Sequence, residues 1–441
     1  MVNLFTGAVR FLISFLFIVS VGGVIADDHG SKKGSDSGYD LNKLGEIQST
    51  FDTAYEDGVI PNYQFGLFDS AGIVYEATRG TTIIDGGQDV TLDTINWMAS
   101  MTKPIVSAAI IRLVQEGKIS LDDRLGKFYP EMDDVLVAPG GSYDATMQEL
   151  KTPITLRHLI SHTSGLTYFT SVTGVGDVAK QYDEFGVMMC RGPGGKTLQD
   201  HMEMLVQLPL ISQPGEEWHY SVSIDVLGAV IEKVTGKRLS DYLQEVFFDP
   251  LGMADTGFYI PGEKSNRVAK VYMAKEATEI DGVPDDEGIV RKLKPSTFWG
   301  EADTSKPPSC DSGGGGVYAS VNDYGRFLRM LARGGELDGV RVLSEQAVEN
   351  LFQDQTETLL PEAFTRAFGD DVSSFMKFGA GFGIKMSNKT EVDYYFWGGA
   401  ANTFFWIDKD NDSMGVFATQ LSPSAYNVSD MIEEIVDQAR R

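Results

Sequence analysis

The fold of this chain turns on the stretch NWMASMTKPIVSAAI, Asn96 to Ile110, where Ser100 and Lys103 set a hydroxyl and an amine three residues apart. Positions i and i+3 share a helix face, so the two groups can meet. A serine at a helix start lies where free backbone N–H groups and the helix dipole favour developing negative charge. A lysine buried beside other polar groups can lose its proton near neutral pH and serve as a base. Pro104 falls in the early helical region, where its missing N–H costs little. Alone, a Ser-x-x-Lys spacing arises by chance about once in a chain this long, and it also reads as a polar helix start with a surface lysine. The neighbourhood favours chemistry, because hydrophobic residues surround the stretch and a hairpin precedes it.

On the N-terminal side, a helical pattern runs from Gly45 toward Gly58, and NYQFGLFDSAGIVYEATRG alternates and turns at Asp69 to Gly72. On the C-terminal side, IVSAAIIRLVQEG keeps helical spacing and stops at Gly117. The middle is rich in helices and loops, including SIDVLGAVIEKVTGKRLSDYLQEVF, which reads as two helices parted by Gly236. Beyond it, Ser320 and Asp323 open another helix with a capping pattern. Strands follow in FGAGFGIKM, VDYYFWGG, NTFFWIDKD and DSMGVFATQ, and the helix SDMIEEIVDQARR closes the chain. These patterns predict an α+β fold: an antiparallel sheet flanked by helices, formed by both chain ends, with a mostly helical inserted domain. The expected boundaries are 45–117 and 309–441 for the sheet domain and 118–308 for the insertion, with the active site at their junction.

Composition limits the partners. The chain has 441 residues, with 37 basic and 63 acidic, a net charge of −26 and a pI near 4.5. So acidic a surface repels phosphate backbones, which excludes nucleic acid as a partner. Arg10 followed by the apolar FLISFLFIVSVGGVIA reads as a secretory signal peptide, 1–26, cut after Ala26. Residues 27–44 read as a flexible leader. A periplasmic or secreted protein without a stable membrane anchor is expected. Cys190 and Cys310 lie in Gly- or Pro-rich loops, and the sequence leaves open whether they form a disulfide or stay as thiols.

Two downstream segments can complete a site around Ser100. In QPGEEWHYS, Tyr220 precedes a helix, and its hydroxyl near Lys103 can share or relay the serine's proton. The same Trp218 and Tyr220 also read as an aromatic plug at a domain junction. In YYFWGGAANTFFW, Gly398 and Gly399 let another backbone approach closely. A strand there can aim the N–H of Ala400 at a substrate carbonyl beside the N–H of Ser100, which makes an oxyanion hole. A simple glycine bend is the alternative.

Taken in order, Ser100-x-x-Lys103, LRHLISHTSGL, PGEEWHYS, DVLGAVIEKVTG, PLGMADTGF, SGGGGVYAS and WGG resemble the serine β-lactamase-related hydrolases. The branch is the one similar to class C β-lactamases and their esterase relatives, with the penicillin-binding-protein-like transpeptidase fold. The resemblance runs from about Gly45 to Gln420. It implies Ser100 as the acylated nucleophile, Lys103 and Tyr220 as the base system, and Trp397, Gly398 and Gly399 as the third motif. Ala400 then supplies the second oxyanion N–H. No cofactor is implied. Two departures matter. Tyr220 is followed by Ser221 and Val222 where Tyr-x-Asn is common, and Trp397 stands where β-lactamases carry the lysine of Lys-Thr-Gly. A lysine there pairs with a substrate carboxylate, whereas tryptophan offers an apolar wall. The expected substrate is therefore a small-molecule ester or amide, an uncharged ester first. β-Lactamase, D-amino-acid peptidase and acyltransferase activities stay open, as does a non-catalytic sensor on the same fold.

Other motifs carry less. His158 and His162 have i, i+4 spacing, but Leu159 stands where a metalloprotease has Glu, so no metal is expected. No Gly-x-Ser-x-Gly occurs, which disfavours a Ser-His-Asp hydrolase. The run Gly313 to Gly316 lacks a following Gly-Lys-Ser/Thr and reads as a loop near a cleft. Asp408, Asp410 and Asp412 lack the glycine and distal glutamate of a calcium loop and read as a hairpin turn. Asn388 and Asn427 match glycosylation acceptors, relevant only in a eukaryotic host.

Overall fold

A computed structural model of the chain describes residues 38–188, 190, 195–276, 288–296, 304–356, 376–388, 390–423 and 429–441. The expected signal peptide, the leader up to residue 37 and the Asn427 acceptor lie outside these residues.

The first helix, α1 (Leu41–Glu56), begins before Gly45, inside the expected leader. Asp40 caps it by accepting the Asn42 N–H, and Leu44, Ile47 and Phe51 are buried at helical spacing. That burial draws the extra residues into the fold. The hairpin follows as β1 (Asn62–Phe68) and β2 (Ile73–Gly80), with Asp69 accepting the N–H groups of Ala71 and Gly72 in the turn. The later strands are β3 (Met376–Phe378), β4 (Gly383–Met386), β5 (Val392–Gly399), β6 (Thr403–Asp408) and β7 (Ser413–Ala418). Together they form one antiparallel seven-stranded sheet in the order β2-β1-β7-β6-β5-β4-β3. The pairing of β1 with β7, Phe65 opposite Phe417, joins the two ends of the chain.

Alternate residues of the central strands feed two cores, as the two-residue period of a strand requires. Tyr63, Phe65, Trp406 and Phe417 face α1 and the closing helix, α5 (Ser429–Ala439), whose Ile432 and Val436 are buried there. Phe405, Ile407, Val416 and Ala418 face the other way, toward α2 (Thr102–Gln115) and α4 (Val321–Ala332). Both faces are covered, so β1, β6 and β7 are buried along their whole length.

The long central segment carries α3 (Ser223–Thr235), which stops at Gly236 in the left-handed conformation, φ +68°. The segment is not purely helical. Tyr272–Ala274 pairs with Leu293–Pro295, and the Tyr272 N–H donates to Gln420 O just beyond β7. This backbone bond draws Tyr272, Ile289 and Leu293 into the core beneath the sheet. Cys190 and Cys310 form a disulfide that closes a separation of 120 residues. Among the described residues no helix is long and apolar enough to cross a membrane.

Candidate active site

Ser100 sits on a strained entry to α2. Ala99–Met101 form a 3-10 turn, and Ala99 adopts φ +48°, a left-handed backbone that costs a non-glycine residue about 1 kcal/mol or more. Packing holds the strain in place. Ala99 is buried with Trp97, Val271 and Ala401, and Trp97 Nε1 donates to Gly315 O at 2.6 Å. Thr102 locks the turn further, its hydroxyl donating to Ala99 O and accepting the Val317 N–H.

Lys103 is fully buried. Its Nζ donates to Ser100 Oγ at 3.2 Å and to Gly314 O at 2.6 Å. The ring centroids of Tyr220 and Tyr168 lie 4.6 and 5.4 Å from the same nitrogen. An ammonium taken from water needs such replacements: two aromatic faces, a carbonyl and a nearby carboxylate supply them. That carboxylate is Asp225, buried on α3, which accepts the Ser312 hydroxyl at 2.7 Å and the Gly314 N–H at 2.9 Å.

Tyr220 arrives from a loop that precedes α3, and its hydroxyl donates to Ser100 Oγ at 2.7 Å. Its ring is held by aromatic neighbours, with centroids at 4.9 Å for His162, 5.1 Å for Tyr168 and 5.6 Å for Trp397. His162 has a left-handed backbone, φ +60°, and its Nδ1 lies 3.2 Å from Ser221 Oγ. Burial first, and the Lys103 charge second, push the His162 imidazole well below its usual range, so it is neutral here. Ser221 thus braces His162, and the departure from the common motif falls at the next residue, Val222. Burial, then Tyr220 and Asp225, push the Tyr168 hydroxyl well above its usual range, so it stays protonated.

The end of β5 closes the site. Trp397 is buried, its ring 5.3 Å from Phe378 and in contact with Tyr220. Gly399 approaches the nucleophile's turn so closely that a Cβ there would lie 2.3 Å from Met98 O and 3.2 Å from Ala99 Cβ. Ala400 follows at the exposed strand end. The structure therefore joins Ser100, Lys103 and Tyr220 by direct hydrogen bonds, and brings Trp397 and Gly399 onto them. Gly398 lies between these two on β5, paired with Phe404.

Sequence reading missed Asp225, Tyr168 and the carbonyl of Gly314. One signal was available: Asp225 is an acidic residue inside an otherwise apolar helix face, where a charge must have partners. The glycine run stands out in the sequence, but its closeness to Lys103 is not legible there.

The competing motifs have other work. His158 Nδ1 accepts the Thr155 N–H in a capping box. Asp408 accepts from Asn411 and Arg440, and Asp412 accepts the Ser70 hydroxyl, all around the turn between β6 and β7. His201 lies beside the two cysteine sulfurs, but the thiols are spent in the disulfide and its Nδ1 accepts the Met188 N–H.

Residues 47–440 match the Beta-lactamase family. Esterase EstB from Burkholderia gladioli is 32% identical over 266 residues, 59% of this chain and 62% of its own length. A lovastatin esterase from Penicillium rubens is 28% identical over 393 residues, covering 85% of this chain and 92% of its own. Among solved structures, EstCE1, a hydrolase with promiscuous acyltransferase activity, superposes with a TM-score of 0.71 at 22% identity, over 90% of this chain and 98% of that one.

Proposed function

The chain belongs to the beta-lactamase family and is a serine hydrolase, and from that premise we propose an exported carboxylesterase that works through an acyl-enzyme on Ser100. One observation carries the proposal: Ser100 Oγ receives hydrogen bonds from both Lys103 Nζ and Tyr220 Oη, at 3.2 and 2.7 Å. With one of these two groups in its basic form, the serine proton leaves along an existing contact as Oγ attacks the ester carbonyl. The same proton then returns to the leaving alcohol, and water repeats the sequence on the acyl-enzyme. The N–H groups of Ser100 and Ala400 hold the oxyanion between the helix start and the end of β5.

The ester preference rests on Trp397. Its buried indole occupies the wall where a cation would pair with a substrate carboxylate, so neutral acyl esters are favoured over β-lactams and D-peptides. The relatives named as esterases support the same choice. Export is supported by the apolar segment after Arg10 and by the Cys190–Cys310 disulfide, a bond that persists in oxidising compartments.

The test is a rate panel of p-nitrophenyl esters, a chromogenic cephalosporin, a D-alanyl peptide and an ester with an alcohol acceptor, run on wild type beside Ser100→Ala. Ester hydrolysis is expected to lead, and the variant to lose turnover and fluorophosphonate labelling while keeping its melting temperature. Retained turnover in the variant sinks Ser100. Faster cephalosporin turnover sinks the argument from Trp397.

A further inference from the structure

The base system has a second layer behind Lys103. Asp225 is 2% exposed, and an uncompensated carboxylate at such depth costs several kcal/mol. Its described hydrogen bonds come from Ser312 Oγ and from the Gly314 N–H, both to Oδ1. Gly314 then turns its own carbonyl to Lys103 Nζ at 2.6 Å, shorter than the 3.2 Å from Nζ to the serine. One residue therefore joins the carboxylate to the lysine. The joint leaves no room for a side chain, since a Cβ on Gly314 would lie 2.3 Å from Asp225 Oδ2 and 2.9 Å from the Tyr168 hydroxyl.

We propose that Asp225 is the positioning residue of the catalytic lysine: its carboxylate fixes the Ser312–Gly314 turn and offsets the buried charge of Lys103. The inference rests on the reading of Ser100, Lys103 and Tyr220 given above. Asp225 touches neither substrate nor Ser100 and acts through Gly314 and through its charge. The titratable groups facing Lys103 are Asp225, His162, Tyr168 and Tyr220. His162 is neutral and Tyr168 protonated, so among the groups here that do not touch Ser100 it is Asp225 that brings a negative charge. Burial raises its carboxyl and the Lys103 charge opposes that rise, as expected for two charges sharing one dry site.

Two variants separate geometry from charge. Asp225→Asn keeps the shape and removes the negative charge that faces Lys103. The acidic limb of the kcat/KM profile is expected to move down by about one pH unit, and plateau kcat to fall about tenfold. Ser312→Ala loosens the turn but keeps the charge, so kcat is expected to fall several-fold with the limb unmoved. Rates are normalised to fluorophosphonate-titrated sites, which removes any loss of folded protein. A limb that stays in place in Asp225→Asn overturns the proposal. If that variant does not fold, Ser312→Ala decides alone: a drop in kcat supports the proposal and a wild-type kcat overturns it. Failure of the Ser100 reading is distinguishable, since it removes labelling from the wild type itself.

Discussion

Placing a methyl group on Gly399 probes the proposed oxyanion hole without touching any side chain of the base system. Gly399 ends β5 opposite Thr403 on β6. In Gly399→Ala the new Cβ would lie 2.3 Å from Met98 O, 2.3 Å from Thr403 Oγ1 and 3.2 Å from Ala99 Cβ. Carbon and oxygen in contact rest about 3.3 Å apart, so the two backbones must part by roughly 1 Å. Thr403 can rotate away, but Met98 O is main chain and Met98 N–H is tied to Val317 O. The end of β5 gives way, and it takes the Ala400 N–H with it. A misplacement of about 1 Å costs about 10²-fold in rate, and a lost oxyanion donor about 10²–10³-fold. kcat on p-nitrophenyl butyrate is therefore expected to fall about 10²–10³-fold, with little change in KM because the donor acts on the oxyanion. Initial rates, a fluorophosphonate count of competent sites and a thermal melt make the assay. A variant with wild-type melting and kcat within about tenfold of wild type would refute the reasoning, because removing a genuine donor costs more than that.

Two further outcomes concern stability. Cys310→Ser opens a loop of 120 residues, so stability is expected to fall by about 2–5 kcal/mol. Urea melts check this, and Cys190→Ser should match it with no further loss on adding dithiothreitol; unequal losses would show another role for one cysteine. Burial pushes the Asp323 carboxyl up to about 6, against an ordinary value of 3.8. The folded state thus holds this proton more tightly than the unfolded one. The residue's contribution is most favourable below pH about 4, and it is lost as pH rises through about 6, by about 3 kcal/mol. Asp323→Asn removes that ionisation, so its melting temperature is expected to gain more on wild type at pH 7 than at pH 4. An equal change at both pH values rejects the argument.

Much of this protein is local in origin and was legible as such. The hairpin at Asp69, the helix stop at Gly236 and the capped start at Ser320 are each fixed by residues within a few positions. Ser100 and Lys103 are also local, because one helical turn brings them together whatever else the chain does. The start of α1 was misplaced because Asp40 and Leu41 sit in polar sequence, and only Leu44, Ile47 and Phe51 meeting the sheet make a helix worth forming there. The extended stretch at Tyr272 was absorbed into the helical middle because its partner, Gln420, is remote in the chain.

The sequence by itself determined the fold class, the sheet built from both ends and the order of the three motifs that surround Ser100. The tertiary structure decided what those motifs do to one another. It made the Cys190–Cys310 bond, set Tyr220 at 2.7 Å from the nucleophile and brought the Gly314 carbonyl and Asp225 behind Lys103. The physical reason is range. Backbone propensity and side-chain periodicity act over a few residues, whereas desolvation and charge pairing depend on which remote segments pack together. Serine and lysine spacing is written in one turn of helix, but the environment that surrounds the lysine is assembled from Tyr168, Tyr220, Asp225 and Gly314 only when the chain has folded.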